Sequence, residues 1–151
     1  FVNYKAVFLK QKYHFSSLNK IFSFDKSLKG KDISILATFD DGTKADVEAV
    51  VTEFSKLGFS VEAIPVGDLG GKISGANVVY TASQASVVGE ICAANGVLST
   101  TGNGDFVEDG KISVGVTVAG GKPAILVNMN QSKAEGHTFA VTLLKLAKVI
   151  K

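Results

Sequence analysis

The sequence predicts one α/β domain with three layers: a Rossmann-like, mostly parallel sheet with a C-terminal antiparallel β-hairpin and flanking helices. Three observations predict this class. Between residues 33 and 100, short β-branched segments alternate with amphipathic helical segments, which is typical of parallel strands joined by right-handed crossovers. After residue 111, apolar residues alternate with small or polar ones, as in a hairpin. The length of 151 residues suits a single core, and no linker divides residues 1–151.

The N-terminal segment, from Tyr4 to Phe22, places apolar side chains close to a 3.6-residue stripe and so predicts an amphipathic helix. The Phe-rich residues 21–24 fit an extended strand equally well. Residues 26–31 are polar and contain a glycine between two lysines, so we expect a loop there.

A strand and a helix are predicted next. Residues 33–39 are apolar and flanked by aspartates, as a buried parallel strand should be. A helix is predicted from Lys44 to Leu57. Thr43 with Asp46 resembles a capping box at its start, and Gly58 supplies its stop.

Three further strands complete the parallel part of the sheet. They are predicted at residues 59–65, 77–81 and 97–100, and residues 66–71 are predicted to form a loop. This order of strands and helices predicts parallel neighbours.

A second helix is predicted between the last two of these strands. Ser83 is expected to cap it, and it runs to Asn95, after which Gly96 ends it. Cys92, the single cysteine, falls on its apolar face, where a free thiol behaves as a small hydrophobic residue.

The C-terminal third predicts a hairpin and a last helix. Residues 112–118 alternate, Gly120-Gly121 makes a turn, and residues 123–128 return. A helix is predicted from Gln131 to the end, with one apolar face made by Phe139, Leu143, Leu146, Ala147 and Ile150.

Composition bears on the class of partner. Hydrophobic residues make up 46% of the chain and charged residues 20%, with a mean hydropathy of +0.25, which hints at apolar surface covered by a partner. The net charge of +2 is scattered without a basic run, so nucleic acid is disfavoured. All 16 basic residues are lysines, and the planar fork of arginine that holds phosphates is absent.

Two loops in the sequence could hold a phosphate, and both are interpreted structurally. The first strand is followed by Asp40 and Asp41, which would repel an anion and which we expect to cap the following helix. The segment Gly102-x-Gly104 is interpreted as a structural loop without the helix that would donate its dipole.

Catalytic and metal-binding patterns are not found in the sequence. His14 and His137 are far apart, and neither has a cysteine or carboxylate at ligand spacing. Asp105, Glu108 and Asp109 do not match a calcium-binding loop. We therefore expect a protein that is not an enzyme, with no catalytic, cofactor-binding or metal-binding residue.

The chain begins at Phe1 without a methionine, and no stretch approaches the ~20 apolar residues of a membrane span. We expect that a signal peptide has been removed, that the protein is periplasmic or extracellular, and that it has no transmembrane segment.

Several segments of the C-terminal half carry a family resemblance. They are residues 97–100, 107–112, 123–128, 131–136 and 143–150, which include the closing sequence Leu-Leu-Lys-Leu-Ala-Lys-Val-Ile. In these segments the chain resembles the YfiR-like family of periplasmic regulatory domains. The resemblance implies an exported, often dimeric domain without a cofactor that controls a membrane signalling enzyme, such as a diguanylate cyclase, by protein contact.

Six aromatic residues lie between residues 4 and 24, more than one helix face can bury. We expect Tyr13, Phe22 and Phe24 to form a partner interface, and the alternative is that all six rings join the core.

The sequence hypothesis is an exported, non-catalytic binding and regulatory domain, homo-oligomeric, that modulates a membrane signalling protein. The alternative is a self-assembling structural subunit. A third hypothesis, an enzyme or nucleotide binder, rests on fold analogy alone.

Overall fold

The computed structural model describes residues 16–119 and 122–151, and it confirms the predicted fold class. The strands are β1 (Ser34–Phe39), β2 (Ser60–Pro65), β3 (Val78–Thr81), β4 (Leu98–Thr101), β5 (Val114–Ala119), β6 (Lys122–Asn128) and β7 (Lys148–Ile150). The helices are α1 (16–24), α2 (Lys44–Lys56), α3 (Leu69–Lys72), α4 (Ala85–Asn95), α5 (Gly104–Glu108), α6 (Met129–Ala134) and α7 (Val141–Leu146).

The seven strands form one sheet in the order β2-β1-β3-β4-β5-β6-β7. Neighbouring strands run parallel except for β5 and β6, which form the predicted antiparallel hairpin. The chain leaves β1 on one side to form β2 and returns to its other side to form β3. The strand order therefore reverses between β1 and β3, the position where doubly wound sheets open a crevice.

Apolar side chains pack on both faces of the sheet and make three layers. On one face, Ala37 and Tyr80 pack with Phe54 of α2 and with α1. On the other face, Leu36 packs with Cys92 of α4. Successive residues of a strand point to opposite faces, so β1 contributes to both clusters. Each large apolar side chain buried in this way contributes roughly 1.5–3 kcal/mol to folding.

The glycine stops of the two long helices are confirmed. Gly58 has a φ of +90° and Gly96 has a φ of +68°, in the left-handed region that glycine adopts without strain. The inner stripe of α2 is buried at Val47, Val50 and Phe54, as its apolar spacing requires.

The prediction of one C-terminal helix from Gln131 is wrong. The segment contains α6, an extended stretch, α7 and the strand β7. Gly136 has a φ of +78° and interrupts the helix, while Ile150 pairs with Asn128 in the sheet. As a result Leu146, expected in the core, is 58% exposed.

Two short helices replace predicted loops. Residues 66–71 hold a 3₁₀ turn and most of α3, whose Leu69 is fully buried. The segment Gly102-x-Gly104 does lead into a helix, α5, where the Asn103 side chain accepts a hydrogen bond from the Asp105 N–H. Helices this short carry too few residues to show a period.

The predicted caps of α2 and α4 also differ from the structure. Thr43 makes no side-chain cap and instead bonds to Asp40. Gln84, not Ser83, is the residue before α4, with a left-handed φ of 51°. The predicted N-terminal helix is present at residues 16–24, so residues 21–24 are helical, and residues 4–15 lie outside the described residues.

Candidate functional site

The carboxyl ends of β1, β3 and β4 lie side by side and are joined by a row of threonines. Thr38, Thr81 and Thr101 are in register across the three strands and are fully buried. The Thr101 hydroxyl donates to the Thr81 carbonyl at 2.8 Å, and the Thr81 hydroxyl donates to the Ser83 carbonyl at 2.5 Å. These hydrogen bonds hold the loops that follow the strands in place, because each threonine hydroxyl bonds to a backbone carbonyl and not to water.

The loop after β1 is closed by Asp40. Its Oδ1 accepts hydrogen bonds from the Gly42 N–H at 3.0 Å and from the Thr43 hydroxyl at 2.9 Å. The carboxylate therefore closes a turn and does not cap the N–H groups of α2. The hydrogen bond from the Thr43 hydroxyl, followed by a weaker one from the Ser83 hydroxyl, holds the pKa of Asp40 below its usual value. A negative charge is thus fixed beside the β3 loop.

The loop after β3 carries strain and a buried hydroxyl. Gln84 is the one non-glycine residue with positive φ in the described parts of the chain. That conformation costs a side-chain-bearing residue about 1–2 kcal/mol. The Ser83 Oγ is buried and has no hydrogen bond within 3.5 Å, although its hydroxyl is close enough to the Asp40 carboxylate to stabilise the charge there. Both features lie where the strand order reverses.

A cleft of about 370 Å³ opens at the loop after β4. It exists because β5 pairs with β4 only as far as Gly115, so the rest of the hairpin projects past the end of β4. Its lining combines α5 with the hairpin and includes Gly102, Asn103, Asp105, Glu108, Thr117 and Leu126. A volume above about 300 Å³ with mixed polar and apolar walls is adequate for a small molecule.

A separate buried polar network surrounds Glu135, at the end of α6. Its Oε1 accepts from the Ser99 N–H at 2.8 Å and from the Ser113 hydroxyl, and its Oε2 accepts from the Ser99 hydroxyl at 2.5 Å and the Gln131 side chain at 2.7 Å. Burial raises the pKa of Glu135, and the four donors act against that effect. The network ties α6 to β4.

His137 and Asp25 form a second buried polar pair. The His137 Nδ1 lies 2.6 Å from the Asp25 Oδ2, and its Nε2 lies 3.0 Å from the Gly96 carbonyl oxygen. Both side chains are almost fully buried. The pair joins the end of α1 to the segment between α6 and α7.

The residues named from sequence are placed as follows. Tyr13 and His14 lie outside the described residues. Phe22 is 1% exposed and packs with the rings of Phe54 and Phe59, so the structure places it in the core, as in the second alternative. Phe24 is half-buried against the same cluster.

Cys92 is fully buried, as expected, and burial raises the pKa of its thiol. Within residues 16–119 and 122–151, no group of three or more histidine, cysteine or carboxylate side chains is arranged to hold a metal ion. No helix in these same ranges is long and apolar enough to cross a bilayer.

Sequence reasoning gave Ser83 only a role as a helix cap and missed Glu135 and Asp25. Each has an ordinary polar context in the sequence, and each acquires its environment from residues far away in the chain. A weak signal was present for Glu135, since a carboxylate and a histidine flank Gly136 within a segment whose apolar spacing predicts a helix.

The fold defines a class of doubly wound α/β domains, and comparison with solved structures gives three examples. A protein from Streptococcus pneumoniae, described as an ABC domain in complex with L-Trp, has a TM-score of 0.66 at 12% identity, covering 94% of this chain and 60% of that chain. A conserved domain protein from Vibrio cholerae O1 biovar El Tor has a TM-score of 0.66 at 14% identity, covering 93% and 60%.

The third structure is the ligand-free, open form of a substrate-binding protein with adhesive properties from Clostridium difficile. Its TM-score is 0.66 at 20% identity, covering 89% of this chain and 58% of that chain. The chain spans about three fifths of the length of these structures. Models of known protein families and the sequences of curated proteins gave no match. At these identities the likeness concerns the fold.

Proposed function

We propose that the chain is an exported, non-catalytic domain that binds a small molecule over the carboxyl ends of β1, β3 and β4. The observation that carries this proposal is the loop after β3. There the buried Ser83 hydroxyl, which has no hydrogen bond within 3.5 Å, and the strained Gln84 lie at the reversal of strand order. Ligands of open α/β sheets bind at this position.

The energetics of this loop support binding. A buried hydroxyl without a well-formed hydrogen bond is destabilising, and a ligand atom that bonds to Ser83 would recover part of that cost. Backbone strain such as that of Gln84 is retained mainly where function requires it.

Two of the similar structures support the same type of function. One holds L-Trp, and another is described as a substrate-binding protein. By extension, we propose that this chain binds a small solute of the size of an amino acid outside the cytoplasm. The chain would act as one part of a larger protein or assembly, since it spans about three fifths of each neighbour.

The regulatory part of the proposal rests on the resemblance to YfiR-like domains. On that basis, the bound state is passed by protein contact to a membrane signalling protein, and the domain is homo-oligomeric. Phe24, which is half-buried at the end of α1, is the described aromatic residue that remains a candidate contact.

The experiment measures binding by calorimetry and by the shift in melting temperature. L-Tryptophan and the other proteinogenic amino acids are the first probes, followed by a set of small polar metabolites. We expect one probe to bind saturably, and Ser83→Ala to weaken it about 5- to 10-fold or more, the value of one lost hydrogen bond.

The matched control is Ser60→Ala. Ser60 is exposed at the start of β2, at the end of the strands opposite to the proposed site. We expect this variant to bind like the original protein. The proposal is contradicted if no probe binds, or if Ser83→Ala and Thr117→Val both leave the affinity of the bound probe unchanged.

A further inference from the structure

The segment after α1 and the segment after α6 meet in the interior. Asp25 forms an isolated antiparallel bridge with Phe139. The Lys26 N–H donates to the Thr138 carbonyl at 3.0 Å, and the Ala140 N–H donates to the Phe24 carbonyl at 3.0 Å. These bonds align the two segments, and the side chains of Asp25 and His137 meet beneath them.

With Asp25 as a carboxylate, the hydrogen-bond geometry gives His137 a proton on each ring nitrogen. The Gly96 carbonyl can only accept a hydrogen bond, so the His137 Nε2 at 3.0 Å carries a proton. The Asp25 carboxylate also accepts, from Nδ1 at 2.6 Å, and its other oxygen accepts from the Ser27 N–H at 2.8 Å. His137 is therefore an imidazolium ion held between a carboxylate and a carbonyl group.

The charges around this imidazolium favour its proton. Among the described residues, the titratable groups packed here are Asp25 after α1, Glu135 at the end of α6, and Cys92 on α4 near Glu135. Burial lowers the pKa of His137, but the hydrogen bond and charge of Asp25, the Gly96 carbonyl and the charge of Glu135 raise it more. The Cys92 thiol stays neutral, because burial raises its pKa.

We propose that His137, Asp25 and the Gly96 carbonyl form a proton-operated latch that docks α1 on the sheet, and that loss of the His137 proton at alkaline pH undocks α1. This goes beyond ligand binding and does not depend on it. A neutral His137 would leave Asp25 as a buried anion without a counter-charge, which is strongly destabilising.

Helix α1 is the element that can respond without unfolding the sheet. It is peripheral, and it is held by three fully buried side chains, Leu18, Ile21 and Phe22, and by the latch. The strands retain their own neighbours when α1 leaves. Local opening of such a unit costs less than global unfolding.

The sign of the effect follows from linkage. A folded-state pKa raised above that of free histidine, about 6.5, contributes stability below that value and loses it as the pH rises through the folded-state pKa. For each unit by which the folded-state pKa of His137 exceeds that of free histidine, the ratio of undocked to docked α1 is about 10 times larger at alkaline pH than at acid pH.

The experiment is hydrogen exchange on the full chain at pH 6 and pH 9, corrected for the intrinsic dependence of exchange on pH. We expect the opening of residues 18–24 to increase about tenfold or more between these values, while β1 and β3 stay protected. His137→Gln should abolish this dependence, and the control His14→Gln should retain it.

A second measurement uses the unaltered protein, so it does not depend on whether a His137 variant folds. The pKa of His137 in the unaltered protein is measured by nuclear magnetic resonance. A value clearly above 6.5 supports the latch. A value at or below 6.5, or equal opening of α1 at both pH values, overturns it.

Discussion

Glu135 shows how one carboxylate can be buried in this fold. Four donors converge on its two oxygens, so the ionised group keeps all the hydrogen bonds that water would give it. Ser99 contributes two of the four, through its N–H and its hydroxyl. These short-range hydrogen bonds offset part of the cost of burying the carboxylate.

Replacing Glu135 by Gln tests this arrangement. The amide nitrogen would face donors and the charge would be lost, so we expect the free energy of unfolding to fall by about 1.5–3 kcal/mol. Denaturant unfolding measures the change. The matched control is Glu108→Gln, which affects an exposed ion pair with Lys148 and should change stability by less than about 1 kcal/mol. Equal losses in the two variants would contradict the role given to the network.

Gly89 marks the closest approach of α4 to the chain before β5. A Cβ at this position would lie 1.9 Å from the Lys111 carbonyl oxygen. The backbone of α4 or of Lys111 would have to move to relieve this contact. We expect Gly89→Ala to lower the free energy of unfolding by about 1–3 kcal/mol or more.

The control for Gly89 is Gly70→Ala in α3, where an added Cβ meets nothing within 4 Å. Alanine favours a helix more than glycine does, so this variant should be neutral or up to about 1 kcal/mol more stable. Thermal unfolding of both proteins measures the difference. A Gly89→Ala protein as stable as the Gly70→Ala protein would show that α4 can move away.

Helix α4 has a left-handed residue at each end, but only one of them is a glycine. Gly96 adopts this conformation freely, whereas Gln84 adopts it at a cost. Gln84→Gly should therefore raise the free energy of unfolding by up to about 1 kcal/mol, and Gly96→Ala should lower it by a similar amount. If Gln84→Gly is destabilising, a contact of the Gln84 side chain outweighs the strain.

Helix α1 carries two phenylalanines in different settings. Phe22 lies in the core, and Phe24 is a candidate partner contact. Phe22→Ala should lower the free energy of unfolding by about 3–5 kcal/mol, because a large buried side chain is lost. Phe24→Ala should cost much less, since the ring is only partly buried. Light scattering of the Phe24→Ala protein then tests the interface. Loss of assembly with little change in melting temperature supports it, and unchanged assembly removes Phe24 from it.

At the scale of the whole molecule, assembly separates the two main hypotheses. A regulatory domain should form a closed oligomer of fixed mass, whereas a structural subunit forms head-to-tail contacts that grow with concentration. We expect a constant mass over a hundredfold range of protein concentration, measured by light scattering. A mass that rises steadily would favour the self-assembling subunit.

The parallel sheet could be predicted because its strands are short, apolar and buried on both faces, as at residues 33–39. The C-terminal segment could not. Its apolar spacing fits a helix, but Glu135 binds Ser99 and His137 binds Asp25, 36 and 112 residues away. Such bonds override local periodicity. The site at the β3 loop was missed for the same reason, because the burial of the Ser83 hydroxyl depends on the fold around it.

The bridge between Asp25 and Phe139 also sets an order of events during synthesis. Helix α1 is made before its latch partner His137, which follows Asp25 by 112 residues. Contacts of such long sequence separation form slowly, because a long loop must close first. Until then the apolar face of α1 has no complete site on which to pack. The apolar face of α1 therefore stays exposed until the segment around His137 has been made and has closed on Asp25.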